Sequence, residues 1–300
     1  LQLTSVQGKS AILSLRQGGF GISRYNFDNF LLQRAQQEGV VVHQGTDVIQ
    51  VNFDGEQFDV QTTDSRYQAD LVIGSFGKRS KLDLLWKRDF AMQRSPYVGV
   101  KYHLISNHPD DLISLHNFEG GYCGVVNIED GKTNLCYLSH RNQVKEQHGI
   151  RDLEKHVMFR NPFIRSIFEN STFLMEKPEV INEISFEKKF PVENHILMAG
   201  DAAGMITPLC GNGMAMAIHA AKIVSSLAIR FCNDPDFSRS QLERLYTNQW
   251  NRQFASRLWA GRQIQRLFGH EWSSNLAVRI ATHSKPIARF LIEKTHGKPI

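Results

Sequence analysis

Asp201 is the residue of this chain whose surroundings most invite chemistry. It stands within residues 196–221, ILMAGDAAGMITPLCGNGMAMAIHAA, where an apolar run ends in Gly200-Asp201, small residues follow, and glycines at 211 and 213 open a helical pattern. A carboxylate just past a buried parallel strand lies where open α/β sheets bind ligands. There it can accept hydrogen bonds from ligand hydroxyls such as those of a ribose or ribityl chain, while Ala202, Ala203 and Gly204 keep bulk out of the ligand's way. Gly211 and Gly213 then let backbone N–H groups approach an electron-rich group at the positive end of the helix. The competing reading is a helix-capping Asp and a close helix–sheet contact, which needs no ligand.

Other reactive side chains have blander readings. Cys210 precedes the glycines, but with no second cysteine near it in sequence it reads as a small apolar filler. Pro208 shapes the loop leading to Gly211. The twelve histidines form no H-x-x-x-H or H-E-x-x-H pair, so no metal site is expected. His219 reads as a packed histidine, and no serine stands in a nucleophile-elbow pattern that would support acyl transfer.

The elements that must position Asp201 can be read from periodicity. Apolar runs ending at Gly74 and Gly200 predict strands buried on both faces, as in a parallel sheet. Helical spacing begins at Asn26, a candidate cap, and stops at Gly39. Residues 40–63 predict a small antiparallel meander that includes VVVHQ and a hairpin at Asp54-Gly55, and the first strands flank a tight turn at Gln7-Gly8-Lys9. After Pro96, VGVKYHLI, LISLHNF, GYCGVVNI and TNLCYLS predict a second, antiparallel sheet. Helical patterns follow at 141–170, 214–231, 241–268, 275–283 and 286–294.

Residues 200–217 strongly resemble the C-terminal FAD motif of the flavoprotein superfamily that contains the p-hydroxybenzoate-hydroxylase-like monooxygenases and the geranylgeranyl reductases. The resemblance implies that Gly200 and Asp201 bind the ribityl chain and that Gly211, Asn212, Gly213 and Met214 sit at the isoalloxazine ring. ISRYNFDNFLLQRAQQEGV, residues 22–40, resembles the segment that places an Arg, here Arg24, near the flavin. DLVIGSFGKRSKLD, residues 70–83, resembles the middle motif between the FAD and NAD(P)H sites, except that Phe76 replaces the usual Asp. GGYCGVVNIEDGKTNLCYL, residues 120–138, falls where geranylgeranyl reductases line the substrate cavity, which assigns Tyr122, with Pro208, to the substrate side. The opening G-x-G-x-x-G unit of the family does not occur in residues 1–300, so the chain is read as a fragment lacking its first βαβ unit and, alone, as a poor FAD binder without activity.

The fold expected is therefore α/β: a partial FAD/NAD(P)-binding Rossmann-like domain at 18–95 and 186–232, an antiparallel β-sheet substrate domain at 1–17 and 96–185, and a helical region at 233–300. The activity implied is FAD-dependent oxidation–reduction of an apolar organic substrate, by C=C reduction or by hydroxylation, with NAD(P)H or another donor. A non-catalytic module for binding or membrane association is the alternative. At 41% hydrophobic residues over 300 positions the chain is not disordered. Four scattered cysteines and the lack of an apolar run near bilayer length lead to a cytoplasmic expectation. The net charge of +5 is concentrated after residue 238, where eleven Lys and Arg face Glu243, Glu271 and Glu293. This basic region is read either as a solvated face or as a peripheral membrane contact, and nucleic-acid binding is not expected because no aromatic-basic platform accompanies it.

Overall fold

In the computed structural model the strand that leads to Asp201, Ile196–Met198, is wholly buried and pairs in parallel with Ile73–Gly74, Leu197 opposite Ile73 and Met198 opposite Gly74. Val192–Glu193 flanks it on the other side, antiparallel. This is the parallel pairing that the two continuous apolar runs predict, but the strand Ile73–Gly74 is not buried on both faces as expected, since Ile73 is 41% exposed. Residues 1–15, 18–267, 269–284 and 286–288 are described, and they divide into two units. Among the described residues, one comprises 1–42, 95–184 and 264–288; the other comprises His43–Arg94 and Ser185–Gln263.

The second unit carries Asp201. Its core joins the strand Ile196–Met198 to one stripe of the helix Gly213–Asn233, formed by Met216, Ala220, Val224 and Leu227. A further stripe, Leu242, Tyr246, Trp250, Phe254 and Leu258, comes from the helix Arg239–Leu267. Both series recur at three- and four-residue steps, so each helix turns one face inward. Tyr246 closes the contact by donating its hydroxyl to the Met198 carbonyl. The helix Gly213–Asn233 reaches a mean hydropathy of 1.4 over 18 residues, enough by length and composition to cross a bilayer, which corrects the expectation that no segment comes near that limit. Within the unit only one stripe of it packs on the core, and Ile218 and Ile229 are exposed.

A three-stranded meander, Val48–Phe53, Phe58–Thr62 and Arg66–Ala69, completes this unit. Its first turn is made by Asp54, whose Oδ1 accepts the backbone N–H groups of Glu56 and Gln57, both at 2.8 Å, while Gly55 takes φ +112°. The expected strand VVVHQ does not form. That stretch is where the chain passes from one unit to the other, and Val40 and Val41 are exposed with no strand to pair against.

The first unit is built on an eight-stranded sheet. Its order is Thr172–Phe173, Tyr97–Ile105, Thr133–His140, Gly121–Asn127, Ser114–Phe118, Gln2–Thr4 and Ser10–Ile12, with Glu179–Ile184 also paired to Tyr97–Ile105. The strands expected after Pro96 are all present, and the N-terminal pair folds about Gly8 at φ +82°. The helices Ile150–His156 and Pro162–Asn170 cover the sheet through Leu153 and Ile164, both fully buried. The helix Arg24–Gln37 begins three residues earlier than a cap at Asn26 implies: Ser23 Oγ caps it by accepting the Asn26 N–H at 3.1 Å. Of the expected C-terminal helices, Glu271–His283 forms, Phe268 lies outside the described residues, and only 286–288 of the segment 286–294 are described.

Candidate functional site

The chain leaves the strand Ile196–Met198 through Ala199, whose N–H donates to the Gly74 carbonyl at 2.9 Å, and turns at Gly200, φ +59°. A Cβ at Gly200 would stand 3.3 Å from the Ala217 Cβ in a backbone region that side chains rarely adopt. The short 3-10 turn Gly200–Ala202 follows, closed by the N–H groups of Ala203 and Gly204 on the Gly200 carbonyl. This leaves the half-buried Asp201 lining a small, shallow pocket. Gly200, Gly204, Ile206 and Gly213 line it with Met216, Ala220, Trp250 and Phe254.

The small residues after Asp201 have a different cause from the expected one. Ala202 and Ala203 are fully buried in the core cluster. At Gly204 a Cβ would come within 2.9 Å of both the Trp250 ring and the Leu258 side chain. Close helix packing therefore demands small size here.

Gly211 and Gly213 are not crowded. Gly211 sits at φ +64°, and beyond its chain neighbours no described atom lies within 4 Å of where a Cβ would stand; at Gly213 only Ile206 comes near, at 3.9 Å. The helix Gly213–Asn233 starts after Asn212, makes no side-chain cap hydrogen bond there, and has no acidic residue in its first turn. No carboxylate therefore offsets the positive end of the helix from within that turn. Met214 lies in the same turn, and Pro208 is exposed at the start of the 3-10 turn Pro208–Cys210 that leads to Gly211.

Cys210 is buried beside Thr207 Oγ1 at 3.4 Å, and burial pushes its thiol up, as befits a filler. His219 contacts the Gln253 amide at 3.2 Å and the edge of Phe254; burial, then Arg257 and Lys222, hold it below the usual imidazole value. No group of three His, Cys, Asp or Glu able to hold a metal occurs among the described residues.

Phe76 packs on the core of the second unit, its ring 6.1 Å from Trp86. Gly77 follows at φ +82°, Arg79 donates to the Ala91 carbonyl, and Ser80 and Asp83 form a capping box on the helix Lys81–Leu85. Of the expected residues, Gly200, Asp201 and Gly213 line one pocket of the second unit, and Gly211, Asn212 and Met214 are the sequence neighbours of Gly213 at the start of its helix. Arg24 and Tyr122 belong to the first unit. Arg24 pairs with Asp28 at 2.8 Å on the exposed face of its helix, and Tyr122 is buried in the sheet opposite Leu138 and Asn117.

Three charged residues that sequence reading passed over lie behind the Asp201 turn. Arg88 and Asp83 form a buried ion pair at 2.8 Å. Arg88 also donates to the Ala202 carbonyl at 3.2 Å and approaches Glu193 at 3.4 Å. Lys189 donates to the carbonyls of Lys78 and Asp201, both at 2.7 Å. Asp83 had a signal, the S-x-x-D capping box. Lys189, in EKKF, looks like part of a solvated charge run.

Known proteins add to this geometry. No family model matches the chain. Conditioned medium factor receptor 1 of Dictyostelium discoideum is 29% identical over 139 residues, 45% of this chain and 26% of that protein. Digeranylgeranylglycerophospholipid reductase 1 of Methanopyrus kandleri is 23% identical over 278 residues, 84% of this chain and 71% of that protein. Among solved structures, a geranylgeranyl bacteriochlorophyll reductase-like protein of Thermoplasma acidophilum superposes with a TM-score of 0.76 at 16% identity, covering 98% of this chain and 78% of that one. Klebsiella pneumoniae HpxO, solved with FAD and uric acid, gives 0.68 at 18% identity over 91% of this chain and 71% of that one.

The chain thus shares its fold with these solved proteins, one of them holding FAD. In this flavoprotein fold the chain spans from about a quarter to 71% of the length of the two curated relatives. The residues present fit part of an FAD: a carboxylate on a pocket rim, glycines with open space before their Cα atoms, and a helix N-terminus free of acidic residues in its first turn.

Proposed function

We propose that the protein is an FAD-dependent oxidoreductase and that residues 200–214 hold the ribityl chain and the pyrimidine edge of the flavin. The observation that carries this is the joining of Asp201, on the pocket rim, to a helix N-terminus with open glycines before it and no acidic residue in its first turn. Asp201 accepts hydrogen bonds from the ribityl hydroxyls. The amides at Gly213 and Met214 face the ring edge that gains negative charge on reduction, and the bare glycines let the ring approach them. The FAD, when bound, supplies the electron transfer, while the protein positions it and tunes its charge environment.

Within this reading we assign the reaction to C=C reduction of an apolar organic substrate, with hydroxylation as the second choice. Alignment along 84% of the chain with a lipid reductase supports the first, and the likeness to HpxO supports the second. NAD(P)H is the proposed electron donor, and Pro208 and Tyr122 are assigned to the substrate side on the resemblance alone. Arg24 is assigned to the flavin on the same ground.

A cytoplasmic protein resting on a membrane surface is the proposed setting. Trp272, 64% exposed, and Leu276, 45% exposed, lie one turn apart on the helix Glu271–His283, with Arg279 following on the same side. Vesicles of anionic lipid should carry the protein upward in a flotation gradient, and Trp272→Ala with Leu276→Ser should leave it at the bottom; equal flotation of both would remove the membrane contact. The redox assignment is tested by anaerobic mixing with NADPH, then with oxygen, in the presence and absence of an isoprenoid. Flavin reduced by NADPH and reoxidised by the isoprenoid without oxygen supports the reductase; oxygen-dependent appearance of a hydroxylated isoprenoid, one atom of O2 in the product and the other in water, supports hydroxylation.

A further inference from the structure

Two lysines stand side by side before the strand Val192–Glu193, and they are treated very differently. Lys188 lies over the exposed Phe190 ring at 5.4 Å. Lys189 is 4% exposed, with its ammonium 4.1 Å above the Phe90 ring. Burying an ammonium is costly unless its donors are used. Here two of them go to main-chain carbonyls on separate segments, Lys78 and Asp201. The next carbonyl, that of Ala202, is taken by Arg88. Both carbonyls that follow Gly200 are therefore tied from behind by cations.

We propose that Lys189 is a positioning residue for the cofactor site: it staples the middle segment at Lys78 to the Asp201 turn and so sets the aim of the Asp201 carboxylate. This rests on the assignment of Asp201 to the cofactor. The staple joins two segments whose backbones depart from the ordinary at Gly77 and Gly200, both at positive φ. Neither could relax independently while the ammonium holds both carbonyls. The charged groups around it are Asp83 and Arg88 of the middle segment and Asp201 of the turn; burial is the largest influence and lowers the lysine to about 8, against the pull of Asp83 and Asp201.

Two measurements decide the matter. In the ligand-free protein, Lys189→Met should raise amide exchange about tenfold in the peptides spanning 76–80 and 200–206, the loss expected for charged hydrogen bonds, and should leave the strands Gly121–Asn127 and Thr133–His140 unchanged. Lys189→Arg, which keeps charge and donors, should restore protection. In the second, flavin affinity is compared for the wild type, Lys189→Met, Asp201→Ala and the double variant. Lys189→Met should weaken binding about tenfold and add little to Asp201→Ala, because it acts through that carboxylate. Unchanged exchange, a rise spread over the whole chain, or fully additive losses of affinity would overturn the staple. If the wild type takes up no flavin, the cofactor assignment fails while the exchange data still judge Lys189. Lys189→Gln, which keeps a donor but not the charge, serves in the same two measurements if the methionine variant does not accumulate.

Discussion

Each unit buries a cluster of ionisable groups, and the two clusters use their hydrogen bonds in opposite ways. In the first unit Glu154 sits inside the core, and the hydroxyls of Tyr102 and Tyr137 both donate to its Oε1 at 2.8 Å. The tyrosine rings are packed edge-on against Phe168, Phe173 and Phe118. Side chain satisfies side chain, and the cluster serves only the packing of helix on sheet. In the second unit Asp83, Arg88 and Lys189 form a cluster whose cations direct their donors to main-chain carbonyls at 78, 201 and 202. A closed polar core stabilises its own surroundings, whereas this one shapes a turn that carries a candidate ligand.

Asp83→Asn should have the largest effect. It leaves the Arg88 guanidinium, 3% exposed, without its buried partner, and removing one member of such a pair costs about 3–5 kcal/mol. Denaturant unfolding should show that loss together with weaker flavin binding. A loss of stability with full flavin affinity would place both clusters in the same structural class. Next, Tyr137→Phe leaves Glu154 with one donor and should cost about 1–3 kcal/mol with no change in flavin affinity. An equal loss of flavin would show that the first cluster also reaches the site.

The smallest effect separates the clusters by pH. Lys189 is lowered to about 8 in the folded protein by burial, so the unfolded chain holds more protons above that value and stability rises with pH. The gain between pH 7 and pH 9 should be about 1 kcal/mol, and it should vanish in Lys189→Met. Glu154 is raised above the ordinary carboxylate value by burial, opposed by its two tyrosines. Its contribution is complete below the ordinary carboxylate range and is lost as pH rises through its folded value, the opposite sign. Unfolding measured across pH, with Lys189→Met and Glu154→Gln as references, would detect a shared sign and so erase the distinction.

Local signals carried much of this architecture. Continuous apolar runs announced the parallel pair at Gly74 and Met198, Asp54-Gly55 announced its hairpin, and alternation after Pro96 announced the large sheet. The failures were physical rather than random. VVVHQ has the composition of a strand but no partner. Asn26 has the chemistry of a cap, but Ser23 occupies the position from which an oxygen reaches the N–H of the third helical residue. Ala202, Ala203 and Gly204 looked like clearance for a ligand, yet the crowding that keeps them small comes from the core and from Trp250 and Leu258, distant in sequence. Lys189 was illegible for the same reason: its acceptors lie on segments that only the fold assembles.

The most direct test of the account is the visible absorption spectrum of the protein purified from its complete coding sequence, beside that of Asp201→Ala. The account predicts flavin bands in the wild type, bleached on reduction, and a large loss of bound flavin in the variant. Absence of those bands in the wild type, or full flavin occupancy in Asp201→Ala, would contradict it.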